Sequence, residues 1–180
     1  AASDPSNAEW QRDLSVSHNK VGEVLSAQGD LAGALRAFQA GMEISQRLAA
    51  SDPSNAEWQR DLSVSHNKVG DVLTAQGDLA GALRAFQAGM EISQRLAASD
   101  PSNAEWQRDL AVSHERMGMI SEKLGRPAEA IPHFREAIAI VEAVYRRFPE
   151  QKPFLFNLDF PRDRLKELEG GGGRKPAAKP

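Results

Sequence analysis

The chain has 180 residues, no cysteine, and a formal net charge of −3 from 22 basic and 25 acidic residues. The lack of cysteine excludes disulfide scaffolds, thiol catalysis and thiolate metal sites, and it suits a reducing compartment, most simply the cytoplasm. The balanced charge offers no basic surface for nucleic acid or anionic lipid, and no run of about 18 apolar residues predicts a membrane span. We therefore expect neither nucleic acid nor a membrane as a partner.

Internal repetition determines the predicted architecture. Residues 1–48 recur at 49–96 with only two changes, Glu23 to Asp71 and Ser26 to Thr74. The opening phrase returns at 97–110, after which the third copy diverges but keeps its register. A fixed period of this length predicts an array of stacked units, none of which can bury its apolar face alone.

The first part of each period predicts an amphipathic helix, here called helix A. Its apolar residues recur at helical spacing on one face: Trp10, Leu14, Val21 and Leu25. A capping-box pattern over residues 6–9, with Ser6 as the capping side chain, starts the helix near Asn7. We expect this face, its tryptophan included, to belong to the core.

The second part of each period predicts another amphipathic helix, helix B. The sequence Gln28-Gly29-Asp30 separates the two helices, because glycine suits the left-handed position after a helix and aspartate can cap the next one. Helix B is expected to start near Leu31 and to end before Ser51-Asp52-Pro53. Its predicted buried residues are Leu31, Ala34, Leu35, Phe38, Met42 and Ile44. Each period is thus predicted to be a helical hairpin.

The end of the chain departs from the repeat. Residues 149–169 predict a degenerate closing helix, in which Leu158 and Leu165 keep the register of helix A and Pro161 is expected to break the helix into two pieces. Residues 170–180 are glycine-rich and basic and are expected to form a flexible tail. No comparable cap precedes the first hairpin, which leaves one side of it open.

The repeat resembles the tetratricopeptide repeat. Gly22, Ala34 and Phe38 match that family's pattern residue for residue, and Gly41 takes a small-residue position late in helix B. His18 departs from the pattern, because a large aromatic residue is common there, and the period is 14 residues longer than the usual 34 or so. The resemblance covers residues 1–148, as three repeats at 1–48, 49–96 and 97–148. It implies an all-α, right-handed solenoid of three hairpins with a closing segment.

The resemblance also implies a concave surface, lined mainly by helix A, that holds an extended or helical peptide. The family's groove positions fall on residues of all three copies: Asn19, Glu23, Ser26 and Ala27; Asn67, Asp71, Thr74 and Ala75; Glu115, Met119, Glu122 and Lys123. Lys20, Lys68 and Arg116 flank them. Because Glu23 and Asp71 make this line acidic, a ligand with basic residues fits best. A plain solvated face is an equally open interpretation.

Other chemistry is poorly supported. Residues 15–18, with Ser15, Ser17 and His18, together with the nearby Asp13 contain the residue types of a Ser-His-Asp triad, but neighbouring residues on a helix point in different directions. His18, His66 and His114 are one position copied three times, too far apart in stacked units to share a metal. We expect them to be partly buried and hydrogen-bonded between adjacent hairpins. We expect no enzyme activity, no cofactor and no metal.

Two functions remain open. The first is a non-catalytic scaffold that binds a peptide or protein partner, commonly one part of a larger protein. The second is a structural or self-assembling element, because an uncapped first hairpin exposes an apolar edge that can meet another chain and form a homo-oligomer. Near-identical copies suit either recent duplication or consensus design.

Overall fold

The computed structural model describes residues 7–149 and 158–171. The chain forms two compact units, residues 1–99 and 100–180. The regular structure of the described residues is helical, without strands. The first unit contains α1 (Ala8–Ala27), α2 (Leu31–Ser51), α3 (Ala56–Gln76) and α4 (Leu79–Ser99). The second contains α5 (Ala104–Lys123), α6 (Pro127–Arg147) and α7 (Asp159–Gly171). The all-α helical-repeat prediction is confirmed, whereas the basic tail from residue 172 lies outside the described residues.

The local start and stop signals act at the predicted places. The side chain of Asn7 accepts hydrogen bonds from the backbone amides of Glu9 and Trp10, so this residue caps α1. The predicted capping residue Ser6 lies outside the described residues. Gly29 has φ 81°, in the left-handed region that favours glycine. Asp30 then caps α2 by accepting from the amide of Gly33 at 2.8 Å.

Consecutive helices form antiparallel hairpins around a glycine–phenylalanine contact. A Cβ placed on Gly22 of α1 would lie 2.7 Å from the ring of Phe38 on α2, so only glycine allows this approach. Ser15 of α1 contacts Ser45 further along α2, which fixes the opposed chain directions. Gly70 and Gly118 make the same contact with Phe86 and Phe134. These three contacts let helix A and helix B of each hairpin approach closely.

The predicted core face of helix A is buried or half-buried in the second repeat, whereas most of it is exposed in the first. Trp10, Leu14 and Val21 are exposed on α1, although the sequence pattern places them in the core. In the second repeat α2 packs against α3, and Val69, the counterpart of Val21, is buried. The prediction was wrong for α1 because the apolar pattern assumes a preceding helix B.

The second unit ends in a closing helix. Leu158 is buried with Ala111 of α5 and Val141 of α6, and Phe160 meets the ring of Phe134 edge-on. Pro161 does not break the helix, contrary to the prediction. It is the third residue of α7, where a backbone amide has no partner within the helix, so the missing N–H costs nothing. Residues 150–157 of the predicted closing segment lie outside the described residues.

Candidate functional site

The most clearly formed part of the predicted groove is a pocket in the first unit, where α1 and α3 lie side by side. Its volume is about 230 Å³. Glu23 and Ser26 of α1 form one wall, and Asp71 and Ala75 of α3 form the other. Phe38 and Val72, both buried core residues, also line it, as does Lys68. The structure therefore brings together five of the residues that the family resemblance assigns to the groove.

The helical repeat explains why these side chains converge. Glu23 and Ser26 are three residues apart on α1, and Asp71 and Ala75 are four apart on α3, so each pair lies on one helix face. Phe38 reaches between the two helices because Gly22 leaves room for its ring. The same glycine that closes the hairpin thus shapes the apolar part of the pocket.

The charged groups of the pocket are two carboxylates and one ammonium. Nζ of Lys68 donates to Oε1 of Glu23 at 2.7 Å, across the line between α1 and α3. Asp71 lies exposed on the opposite wall. The pocket therefore carries two carboxylates, of which Glu23 is bound to Lys68. An exposed pair of this kind is weak, so a cationic ligand group can compete for Glu23.

The predicted column of asparagines is placed differently from the acidic residues. The Oδ1 atoms of Asn19 and Asn67 are buried and have no hydrogen-bond partner. They lie against helix B, where a Cβ on Gly41 or on Gly89 would be 3.1 Å from them. These carbonyl oxygens do not reach the surface, so holding the backbone of a ligand would require a side-chain rotation. Glu115 takes the equivalent place in the second unit, and burial raises its pKa.

The remaining predicted groove residues have varied surroundings. The hydroxyl of Thr74 donates to the carbonyl of Gly70 at 2.8 Å, whereas Lys20 is exposed and Met119 is half-buried. Other exposed residues of the predicted surface are Ala27 and Lys123, and Arg116 is half-buried. In the second unit Glu122 is bound by Arg164 of the closing helix. The acidic line is thus occupied there by the chain's own arginine.

The sequence analysis missed the pairing of Lys68 with Glu23 and the apolar floor of the pocket. The pair joins residues 45 apart, three less than the period, because neighbouring A helices run in the same direction with a small offset. Arg12 of α1 shows the same separation, with Nη1 2.8 Å from Oε1 of Glu57 on α3. Opposite charges separated by nearly one period were the signal in the sequence.

Two larger pockets occupy equivalent positions in the two units. The pocket of the first unit, about 340 Å³, lies between Pro53, Gln59 and Leu96. That of the second unit, about 370 Å³, lies between Pro101, Gln107 and Val144, the same positions one period later. Each lies beside the link that leads into a helix A. Their recurrence indicates a consequence of how hairpins are joined rather than a selective site.

The alternatives to a binding surface find little geometric support. The hydroxyl of Ser15 donates to the carbonyl of Gly41 at 3.0 Å and contacts Ser45 at 2.9 Å, which leaves no arrangement for nucleophilic attack. Ser17 donates to the carbonyl of Asp13. Within residues 7–149 and 158–171, no three His, Asp or Glu side chains cluster as metal ligands would. None of the described helices is long and apolar enough to cross a bilayer.

The histidines depart from the prediction in the third copy. His114 of α5 lies with Nδ1 3.1 Å from Nδ1 of His133 on α6, inside one hairpin rather than between hairpins. The ring centroids are 5.3 Å apart. The nitrogens therefore face each other almost directly, as in a hydrogen bond that shares one proton. Position 133 corresponds to Ala37 and Ala85 in the other copies, so this pair is unique to the third.

Comparison with known proteins adds structural likenesses only. No family model matches the chain, and no curated protein matches it. The DHF58 filament is 20% identical, with 92% of this chain and 85% of that chain covered, at a TM-score of 0.40. The de novo designed helical repeat protein DHR64 is 18% identical, with 91% and 78% covered and a TM-score of 0.37. MamA AMB-1 is 15% identical, with 90% and 94% covered and a TM-score of 0.35. At such TM-scores these likenesses carry no inference about function.

Proposed function

We propose that this chain is a non-catalytic scaffold of the tetratricopeptide-repeat type, which binds a peptide or a protein segment on the surface of its A helices. The observation that carries the proposal is the pocket between α1 and α3, lined by Glu23, Ser26, Lys68 and Asp71 over an apolar floor. These residues were assigned to the groove from the sequence, and the packing of the hairpins brings them together. A reducing, cytoplasmic setting fits the cysteine-free chain.

The chemistry of the pocket favours a ligand that combines a basic group with a small apolar one. The carboxylate of Glu23, held only by a weak exposed pair with Lys68, can bind a cationic group, and the buried Phe38 and Val72 give an apolar side chain a dry contact. Short links and packed hairpins keep the receptor rigid, so little ordering of the scaffold opposes binding. A lysine or arginine one or two residues from an aliphatic residue is the motif we expect.

Peptide-display selection on the full chain tests this proposal. The selection is run in parallel on the wild type, on a variant with Glu23→Ala and Asp71→Ala, and on Glu91→Ala, which removes an exposed carboxylate from α4. Enrichment of a basic motif by the wild type and by Glu91→Ala, but not by the pocket variant, supports the assignment. Equal enrichment by the wild type and by both variants would mean that the peptide binds outside this pocket. No enrichment by a folded wild type would contradict the proposed function.

Self-assembly is the second candidate, and the exposed apolar face of α1 is the observation that favours it. Two such faces could meet in a symmetric dimer, as an isologous interface requires. Sedimentation over a wide concentration range separates the candidates. A monomer throughout contradicts assembly, whereas a dimer that Val24→Lys dissociates supports it.

A further inference from the structure

The hairpin of α5 and α6 contains a pair of histidines that the other hairpins lack. His114 of α5 and His133 of α6 face each other through their Nδ1 atoms, 3.1 Å apart, and both residues are half-buried. The counterparts of His133 in the other copies are Ala37 and Ala85. Because two hairpins form without such a pair, the repeat fold does not require it.

The pair has two neutral states that differ only in the position of one proton. A neutral imidazole carries a proton on one ring nitrogen and a lone pair on the other. In the hydrogen-bonded state, one Nδ1 donates to the other. If the donating ring carries its proton on Nε2 instead, both Nδ1 atoms present lone pairs to the same space. Neutral histidine binds metal ions in this form, and reaching it releases no proton.

The distance between the two nitrogens suits a transition-metal ion. With zinc–nitrogen bonds of about 2.0–2.1 Å, two nitrogens 3.1 Å apart subtend an angle of about 100° at the ion. This angle is close to the tetrahedral value of about 109° that zinc sites prefer. The ring centroids are 5.3 Å apart and the rings are tilted by 46°, so the nitrogens now point almost at each other. A rotation of each ring about its Cβ–Cγ bond, a broad torsion in histidine, aims both lone pairs at one ion.

Carboxylates near the pair favour a cation. Glu129 lies one turn before His133 on α6 and Glu136 one turn after it, and both are exposed. Glu129 acts electrostatically on His133 and Glu136 on His114, although Glu129 also lies 3.6 Å from the guanidinium of Arg126. Among the described residues, no group of three His, Asp or Glu side chains is arranged as metal ligands. Two histidines are therefore the protein's ligands, and water completes the coordination.

We propose that His114 and His133 form a binding site for a divalent transition-metal ion of the class that prefers imidazole, with Zn²⁺ as the expected ion. Each histidine binds through Nδ1, so the ion joins α5 to α6 and stabilises this hairpin. The expectation of no metal rested on histidines one period apart, whereas this pair lies within one hairpin. The proposal does not depend on whether the pocket between α1 and α3 binds a peptide.

Calorimetric titration of the full chain with ZnCl₂, at neutral pH and without a histidine tag, tests the site. His133→Ala restores the residue of the other two copies, so this variant is expected to fold. His66→Ala is the matched control, because it removes the equivalent helix A histidine from a hairpin that has no pair. Titration with MgCl₂ is the second control, since Mg²⁺ prefers oxygen ligands. Nitrogen NMR of the imidazole rings reports which nitrogen binds the ion.

We expect one Zn²⁺ per wild-type chain and no binding of Mg²⁺. Two ligands fixed on packed helices act as one unit, so His133→Ala should weaken Zn²⁺ binding by about tenfold or more. His66→Ala should leave the affinity unchanged, and Zn²⁺ should shift the Nδ1 signals of both histidines of the pair. Unchanged affinity in His133→Ala overturns the proposal, as does equal weakening in His66→Ala. The absence of saturable Zn²⁺ binding by the folded wild type also overturns it.

The repeat also allows the site to be copied. Ala85→His places a histidine on α4 opposite His66 of α3, at the positions that His133 and His114 take one period later. Circular dichroism first establishes that the variant is folded. We expect this variant to bind two Zn²⁺ ions per chain, and the addition of His133→Ala to reduce the number to one. A folded Ala85→His chain that still binds a single ion contradicts the geometric basis of the site.

Discussion

Gly22 of α1 lies directly against the ring of Phe38 of α2. A Cβ on Gly22 would be 2.7–2.8 Å from three of the ring carbons. The contact is made in the middle of both helices, where glycine costs about 1 kcal/mol relative to alanine in helix propensity. Glycine is nevertheless needed at this position, because a larger side chain would prevent the close approach of the two helices. The same ring lines the pocket between α1 and α3.

Gly22→Ala should therefore destabilise the chain by about 1–3 kcal/mol, although alanine favours the helix. The added methyl group must displace a packed ring rather than a flexible side chain. Chemical denaturation of the variant, of Phe38→Leu and of the double variant measures the coupling. We expect the double variant to be more stable than the sum of the single effects predicts, and a stabilising Gly22→Ala would refute the close contact.

The buried serines should contribute through their hydrogen bonds. Ser15 donates to the carbonyl of Gly41 and contacts Ser45, which in turn lies 3.4 Å from Ser65 of α3. Ser15→Ala should cost about 1–2 kcal/mol, because it leaves buried polar atoms without a partner. Ser17→Ala, on the exposed side of the same helix, is the matched control and should be close to neutral. Equal effects on the denaturation midpoint would argue against a structural hydroxyl network.

The histidine pair should make the second unit sensitive to mild acid. Burial lowers the pKa of His114, with a further contribution from His133, and burial also lowers the pKa of His133. Glu136 near His114 and Glu129 near His133 oppose these shifts. Both histidines therefore bind protons more readily in the unfolded chain than in the folded one. The stability that comes from their neutral state is fully present above a pH of about 6.5, and it is lost as the pH falls through the lowered pKa values of the folded chain.

Removal of the pair isolates that contribution. His133→Ala restores the residue present in the other two copies, and its stability should fall less than that of the wild type between neutral pH and mild acid. Thermal unfolding of both chains across this range is the measurement. Parallel pH profiles for the two chains would contradict a shared proton. Burial also lowers the pKa of His66, but this residue is present in both chains, so its effect cancels in the comparison.

The closing helix should depend more on its apolar contacts than on its ion pairs. Leu158 is buried against α5 and α6, so Leu158→Ala should cost about 2 kcal/mol or more. Arg162 reaches Glu142 at 2.6 Å, but both side chains are largely exposed, so Arg162→Ala should cost less than about 1 kcal/mol. Hydrogen exchange of α5 and α6 compares the two variants. A larger effect of Arg162→Ala would reverse this order.

The sequence predicted the helix boundaries well because they depend on local chemistry. Asn7, Gly29 and Asp30 each act through bonds to residues at most a few positions away. The exposure of Trp10 was not predictable from its helix, since the same residues on α3 are covered. Burial of a repeat face depends on the neighbouring hairpin, which periodicity within one helix does not report.

The candidate site was predicted in part for the same reason. The groove positions of the resembled family fell on Glu23 and Asp71, and the pocket contains both. The buried carbonyl of Asn19 depends on the open space that Gly41 leaves on helix B, a contact between helices that no local pattern encodes. Capture of Glu122 by Arg164 likewise depends on where the closing helix packs.

The binding of a selected basic peptide to the pocket tests the central claim most directly. Its dissociation constant is measured by fluorescence anisotropy on the wild type, on Asp71→Ala and on Glu91→Ala, at two salt concentrations. We expect Asp71→Ala to weaken binding about tenfold, equivalent to about 1.4 kcal/mol, with Glu91→Ala unchanged and with weaker binding at high salt. Equal affinity for all three chains would contradict the assignment of this pocket as the binding site.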